Sequence, residues 1–181
     1  MNILIGPLQF NDAVGIAAKP LGFKLIGEKN ADITYDLSKD NWQDILNKTD
    51  VVPDAVVWWS PEFNTIPDGI ESVPCTSVAV VGDWNLGLST LKENLKRFDL
   101  IVTDQAGVNL FKKAGFKNVH YWPVFSFDPR FHHKFENSEK IYDIVMIANL
   151  NHEVQRERSK WLWRLAKLGN KYKIKIILIM I

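Results

Sequence analysis

Three short segments follow apolar runs of strand length. They hold the residues best placed to bind a ligand or take part in chemistry. Gly82-Asp83-Trp84-Asn85 follows one run, Thr103-Asp104-Gln105 ends the next, and Gly6-Pro7 ends the first run of the chain. Ligands of open α/β sheets bind beyond the carboxyl ends of the strands, where loops and helix N-termini converge. A carboxylate, an indole and an amide together, as at residues 83–85, suit a hydroxylated ligand.

Each of these segments also has a simpler structural interpretation. Gly6 either lets a ligand or another backbone approach closely or makes a plain tight turn. Asp83 either faces a ligand or caps the helix that follows it. Asp104 stands where an N-cap is expected for a helix from Ala106 onward, and for this residue the capping role is favoured.

Apolar runs alternate with segments of helical period, which is typical of a parallel sheet with crossover helices. The sequence therefore predicts an α/β fold, with a Rossmann-like, doubly wound parallel-sheet domain over residues 1–124. The predicted strands are Ile3 to Gly6, Phe23 to Gly27, Ala55 to Trp59, Thr76 to Val81, Leu100 to Thr103 and Val119 to Trp122. The predicted helices are Phe10 to Lys19, Asp40 to Asn47 (capped by Ser38 or Asp40), Ser89 to Arg97 and Ala106 to Ala114.

Residues 125–140 show neither period and are predicted to be an interdomain linker. A strand from Asp143 to Ala148, a helix from Glu153 to Leu168 and a strand from Ile174 to Ile181 then predict a second Rossmann-like domain over residues 141–181. Because a buried parallel strand needs cover on both faces, this domain is expected to be truncated after its first β-α-β unit. A stripe at helical spacing is expected to be core: Trp161, Leu162, Leu165 and Leu168.

Composition excludes several classes of protein. The chain has 181 residues and a formal net charge of +1, with basic and acidic residues mixed, which argues against a nucleic-acid partner or an electrostatic membrane anchor. No run reaches the roughly 18 to 20 apolar residues of a membrane span, and Met1 to Pro7 lacks the features of a signal peptide. A cytoplasmic protein without an integral membrane segment is expected.

The sequence gives little support for a metal site, a reactive thiol or a dinucleotide-binding motif. The single cysteine, Cys75, rules out an internal disulfide and is expected to be a small buried hydrophobe. The histidines do not have a zinc-binding spacing, so no metal site is expected. No Gly-x-Gly-x-x-Gly or phosphate-loop motif occurs, which argues against a nicotinamide dehydrogenase and a phosphate-loop nucleotidase.

Two arginines, Arg156 and Arg158, lie in the first turns of the last predicted helix. Positive charges at a helix N-terminus are unfavourable because this end of the helix dipole is also positive. A bound phosphate would offset this repulsion. Solvent exposure with Glu153 and Glu157 as partners is the equally weighted alternative.

The order of these segments resembles a known family. Val80 to Asn85, then Phe98 to Asp104, then Ala114 to Val119 leading to Trp122-Pro123, is similar to the N-terminal half of GT-B glycosyltransferases. Within that fold the chain looks most like the group related to spore-maturation glycosyltransferase-like proteins. Asp143 to Leu150 and Arg156 to Arg158 resemble the opening of the C-terminal domain of the family.

The resemblance implies metal-independent transfer of a sugar from a nucleotide-sugar donor to a hydroxyl of an acceptor glycan or small molecule, with no cofactor besides the donor substrate. Asp83 would then be the general base, with Asp104 as the second candidate. Ala148 stands where many relatives have glycine, and further donor-binding residues would lie beyond Ile181. The substrate-binding residues implied in this way are Gly6, Trp84, Asn85, Asn149, Asn151, Arg156 and Arg158.

A second class of function fits the same pattern, namely a non-catalytic α/β module that binds a sugar, a nucleotide or a protein. Fold alone does not decide between these two classes. In either case the strand from Ile174 to Ile181, which is apolar and carries almost no charge, predicts self-association through the C-terminal strand.

Overall fold

The computed structural model describes residues 1–85, 88–123, 139–149 and 156–179. The chain divides into two compact units, Met1–Ser126 and Phe127–Ile181. Most of the predicted linker, residues 125–138, lies outside the described residues.

Seven parallel strands form the sheet of the first unit, in the order β3-β2-β1-β4-β5-β6-β7. They are β1 (Ile3–Gly6), β2 (Lys24–Gly27), β3 (Ile33–Thr34), β4 (Ala55–Trp59), β5 (Thr76–Val81), β6 (Leu100–Thr103) and β7 (Val119–Tyr121). The order reverses between β1 and β4, which is the topology of a Rossmann-like sheet. The α/β class and the Rossmann-like parallel sheet are therefore confirmed.

Helices pack on both faces of this sheet. They are α1 (Ala13–Ala18), α2 (Trp42–Asn47), α3 (Leu88–Leu95) and α4 (Gln105–Lys113). The residues of α1 join a small cluster with β1 and β2, whereas α2, α3 and α4 contribute to the larger core on the other face. At the centre of the larger core the rings of Trp42 and Trp58 meet edge to face, with 5.6 Å between their centroids.

The starts of α1 to α4 differ from the sequence prediction by one to three residues. The cap of α2 is Asn41, not Ser38 or Asp40: its side chain accepts from the Asp44 N–H (3.1 Å), and the Asp44 carboxylate accepts from the Asn41 N–H (3.0 Å). This reciprocal capping box fixes the start of the helix. The strand β3 was also missed, because it has only two residues.

The helix α1 begins later than predicted because the segment after β1 bonds to the end of β2 instead. The Leu8 N–H donates to the Ile26 carbonyl (2.9 Å), and the Phe10 N–H donates to the Asn30 carbonyl (2.8 Å). An ideal Cβ on Gly6 would lie 2.1 Å from the Ile26 carbonyl oxygen. The close approach that glycine allows at this position is therefore occupied by the backbone of β2.

We predict that Gly6→Ala destabilises the first unit by about 1–3 kcal/mol, because backbone must move to admit the methyl group. Urea unfolding followed by circular dichroism measures this change. Gly169→Ala is the control, since no atom lies within 4 Å of its ideal Cβ. Equal stability of both variants and the wild type would show that β1 and β2 are less closely packed than described.

The second unit is a β-α-β unit, as predicted. The strands β8 (Ile144–Asn149) and β9 (Ile174–Ile179) pair in parallel and are connected through the helix α5 (Arg156–Lys167). The predicted core stripe is wrong at its ends, because Trp161 is 61% and Leu168 43% exposed whereas Leu162 is 8% exposed. The covered side of α5 includes Leu162, and Trp161, about 100° further around the helix, lies beside that side.

Apolar side chains of the second unit are exposed on its sheet as well. Val145 and Ile147 on β8 and Ile177 on β9 are all more than a third exposed. These positions are adjacent in the strand register, since Ile147 pairs with Ile177. Self-association through the C-terminal strand stays a prediction.

Candidate functional site

The loops after β4, β5 and β6 lie side by side at the carboxyl edge of the sheet, the edge at which its strands end. The register aligns Trp59 with Val80 and Val81 with Thr103, so the three strands finish at nearly the same level. The segments after β5 and β6, which the sequence singled out, are therefore spatial neighbours. The loop after β4 is the third member of the group.

Glu62, in the loop after β4, holds the backbone of the loop after β5. Its Oε1 atom accepts hydrogen bonds from the N–H groups of Gly82 (2.9 Å) and Asp83 (2.8 Å). Hydrogen bonds to a carboxylate are stronger than those between neutral groups, so this contact positions Asp83 firmly. The Oε2 atom of Glu62 is buried and has no hydrogen-bond partner within the described part of the chain.

A tight turn places Glu62 in this position. Ser60 adopts a φ of 52° and donates its N–H to the Val80 carbonyl (2.9 Å). The Asn64 side-chain amide donates to the carbonyls of Trp59 (2.9 Å) and Ser60 (3.1 Å), which closes the turn. Glu62 was not among the site residues predicted from the sequence, although a carboxylate just after a predicted strand is the same signal that identified Asp83.

Trp84 connects the loop after β5 to the start of α4. Its indole Nε1–H donates to Asp104 Oδ1 (3.1 Å), and the same oxygen accepts from the Gly107 N–H (2.7 Å). Asp104 is thus the N-cap of α4, and the favoured capping interpretation is confirmed. An ideal Cβ on Gly107 would lie 2.9 Å from the Trp84 ring, so the indole is packed closely against this helix.

Asp83 has a different environment. Asp83 is exposed, and its carboxylate makes no hydrogen bond or ion pair with any residue that the structure describes. The helix α3 begins at Leu88, too far along the chain for Asp83 to be its N-cap. A backbone held by Glu62 therefore presents a carboxylate that remains accessible to a ligand.

A cavity of about 330 Å³ lies beside Glu62. Phe63 contributes an aromatic ring that is 62% exposed, and two threonines and two asparagines contribute polar groups. An apolar surface with a few hydroxyl and amide groups is the usual lining of a small-molecule site. The lining residues are Pro61, Glu62, Phe63, Asn64, Thr65, Thr90, Leu91 and Asn94.

The other residues implied by the resemblance are placed in three groups. Asn85 is exposed beside Trp84 at the carboxyl edge, whereas Gly6 ends β1, separated from β5 by β4. Arg158 is partly buried in α5 of the second unit. Asn149 ends β8 and Arg156 begins α5, but their side chains are not among the parts described, and Asn151 lies outside the described residues.

Metal and thiol chemistry receive no support from the described geometry. Within residues 1–85, 88–123, 139–149 and 156–179, no three His, Cys, Asp or Glu side chains are grouped so that they could hold a metal ion. Burial, with a contribution from the charges of Asp99 and Asp54, raises the pKa of the Cys75 thiol above its ordinary value. No helix in these ranges has the length and apolar character to cross a membrane.

Comparison with known proteins does not provide a relative. No protein-family model matches the chain, and no curated protein or solved structure matches it significantly. Function is therefore inferred from the fold and from the carboxyl edge of the first unit.

We predict that Asp104→Ala destabilises the first unit by about 1–2 kcal/mol, because both α4 and Trp84 lose a hydrogen-bond acceptor. Asp104→Asn is the matched variant, since an asparagine oxygen can accept the same two bonds, and its stability should stay within about 0.5 kcal/mol of the wild type. Urea unfolding measures both. An Asn variant as unstable as the Ala variant would show that the negative charge, not the cap, is required.

We predict that Cys75 reacts slowly with iodoacetamide at neutral pH, because its raised pKa leaves little thiolate. The folded chain should be alkylated more slowly than the same chain in urea. Mass spectrometry of timed samples measures the rates. Equal rates would show that Cys75 is as accessible and as acidic as a free thiol.

Proposed function

We propose that this chain contains the acceptor-side domain of a GT-B glycosyltransferase, which transfers a sugar from a nucleotide-sugar donor to a hydroxyl group of an acceptor glycan or small molecule. The observation that carries the proposal is Asp83. Its carboxylate is exposed at the carboxyl edge of a Rossmann-like sheet and has no partner among the described residues. Ligands of such sheets bind at this edge.

In this proposal Asp83 is the general base. A base that deprotonates an acceptor hydroxyl needs an accessible carboxylate within hydrogen-bonding reach of it, and it must be held in position. The two backbone hydrogen bonds accepted by Glu62 hold the peptide groups on both sides of Gly82, and the second of these groups joins Gly82 to Asp83. Asp104, the second candidate, already accepts two hydrogen bonds through Oδ1 and is better suited to positioning the loop.

The cavity beside Glu62 is the proposed acceptor site. Glu62 both lines the cavity and contacts the backbone of Asp83, so the base and the cavity are connected through one side chain. The ring of Phe63 can pack against the apolar face of a sugar, while the amides and hydroxyls of the lining can bond to its hydroxyl groups. Trp84 and Asn85, in the loop after β5, are proposed as further acceptor contacts.

The second unit, in this proposal, belongs to the donor-side Rossmann-like domain. Its α5 follows a parallel strand, an arrangement in which helix N-termini commonly meet phosphates. Asn149, Asn151, Arg156 and Arg158 are the residues proposed to contact the donor.

The single cysteine, which cannot form an internal disulfide, agrees with a reducing compartment such as the cytoplasm.

A non-catalytic binding module is the second candidate, and the cavity beside Glu62 favours it equally, because binding needs a cavity but no base. The two candidates differ in what Asp83 does. As a base, Asp83 affects turnover. As part of a binding module, it affects only affinity.

We predict that Asp83→Asn lowers kcat by about 10²-fold or more and leaves the donor KM nearly unchanged, because an amide cannot accept the hydroxyl proton. Release of nucleoside diphosphate from a panel of nucleotide-sugars and acceptors measures turnover. The matched control is Asp50→Asn, since Asp50 is also exposed but pairs with Lys24, the first residue of β2, at the opposite edge.

The control variant should keep the wild-type rate. A wild-type rate in Asp83→Asn would remove this residue from catalysis. Acceptor binding by the wild type without turnover on any donor would support the binding module instead.

A further inference from the structure

Charge is distributed unequally between the two units. The described residues of the second unit, 139–149 and 156–179, include nine Lys or Arg and three Asp or Glu, a net charge of +6. The described residues of the first unit include eleven Lys or Arg and fifteen Asp or Glu, a net charge of −4. The near-neutral total of the chain therefore conceals a basic second unit, to which the sequence argument against an electrostatic anchor does not apply.

Three of these basic residues form a row along α5. Lys160, Arg164 and Lys167 occur at i, i+4 and i+7, which places them on one side of the helix. At about 100° per residue this side is opposite Leu162, which is buried. All three are exposed, and Glu157, the one acidic residue in α5, pairs with Lys160 at 2.5 Å.

Two tryptophans flank the row, one on each side. Trp161 and Trp163 are 61% and 62% exposed. Arg164 lies over the ring of Trp161, with its Cζ atom 4.7 Å from the ring centre, and Lys167 lies over the ring of Trp163, with its Nζ atom 3.3 Å from the centre. We name the five residues Lys160, Trp161, Trp163, Arg164 and Lys167 the tryptophan–cation surface.

Contacts between cations and rings are unusually dense in this unit. Lys171 lies 5.3 Å from the ring centre of Tyr172, and Lys173 lies 5.5 Å from that of Tyr142. With the two pairs on α5, this makes four contacts among the 35 described residues of the second unit, whereas the 121 described residues of the first unit make one, between Lys19 and Phe10. Exposed aromatic rings next to exposed cations suit a boundary between an apolar and a charged medium.

We propose that the tryptophan–cation surface docks the second unit on membranes that contain anionic lipids. Cations near such a membrane gain roughly 1 kcal/mol each from the negative surface potential, and tryptophan prefers the level of the headgroups. The long stems of Lys and Arg allow their charges to stay among the headgroups while the indoles insert. The contact is peripheral and does not depend on the function proposed for the first unit.

A nucleic acid would also attract these charges, but the positions of the rings favour a lipid surface. Single strands bind by stacking successive bases on aromatic rings. Trp161 and Trp163 are two residues apart, about 200° around the helix, so one strand cannot stack on both in succession. Each ring also has a cation over one face. A membrane surface instead contacts the whole row with a ring on either side.

Co-sedimentation of the 181-residue chain with vesicles tests the proposal. Partition onto phosphatidylcholine vesicles with about 30% phosphatidylglycerol should exceed partition onto pure phosphatidylcholine by about tenfold or more, and should fall as salt is added. Neutralising the row by Lys160→Gln, Arg164→Gln and Lys167→Gln should lower it by at least about tenfold. The matched control removes three exposed charges in or just after α4, by Lys112→Gln, Lys113→Gln and Lys117→Gln, and should partition as the wild type does.

A second variant tests the contribution of the two indole rings separately from that of the charges. Trp161→Ala with Trp163→Ala should lower partition several-fold and leave the salt dependence unchanged, because the charges remain. Both rings are exposed, so this variant should fold even if the charge variant does not. Circular dichroism checks that each variant is folded. Equal binding to neutral vesicles, no binding at all, unchanged binding of both variants, or tighter binding to a single-stranded oligonucleotide than to anionic vesicles would each overturn the proposal.

Discussion

Parallel pairing between β4, β5 and β6 is the constraint on which the candidate site depends. Each strand enters the sheet in the same direction and with aligned register, so three loops that are distant in sequence leave it at one edge. Glu62, Asp83 and Asp104 come from these three loops. If one of these strands were reversed or shifted by a few residues, its loop would no longer lie beside the other two.

The three carboxylates have different roles, although each follows a strand in the sequence. Glu62 accepts two backbone N–H groups, and Asp104 accepts one backbone and one indole N–H. Two acidic residues thus stabilise loops, which satisfies backbone groups that a buried turn would otherwise leave unpaired. Only the third, Asp83, has a carboxylate without a partner in the described part of the chain, and this contrast makes it the candidate for chemistry.

The strands could be predicted from the sequence because a buried parallel strand is a continuous apolar run, and such runs at β1, β4, β5 and β6 were located to the residue. Details that depend on distant contacts could not be predicted in the same way. Asn41 caps α2 through Asp44, and Trp161 faces outward because only one side of α5 is covered. The role of Glu62 was missed because its partners are twenty residues away, in a loop whose position follows from the sheet.

The shared oxygen of Asp104 has a consequence for motion within the first unit. One atom accepts hydrogen bonds both from the indole of Trp84 and from the first turn of α4. A displacement of the loop after β5 must therefore break the indole bond or carry the helix end with it. The loop and the helix are mechanically coupled, so a rearrangement around Asp83 would be transmitted along α4, and the polarity around the Trp84 ring would change as it occurred.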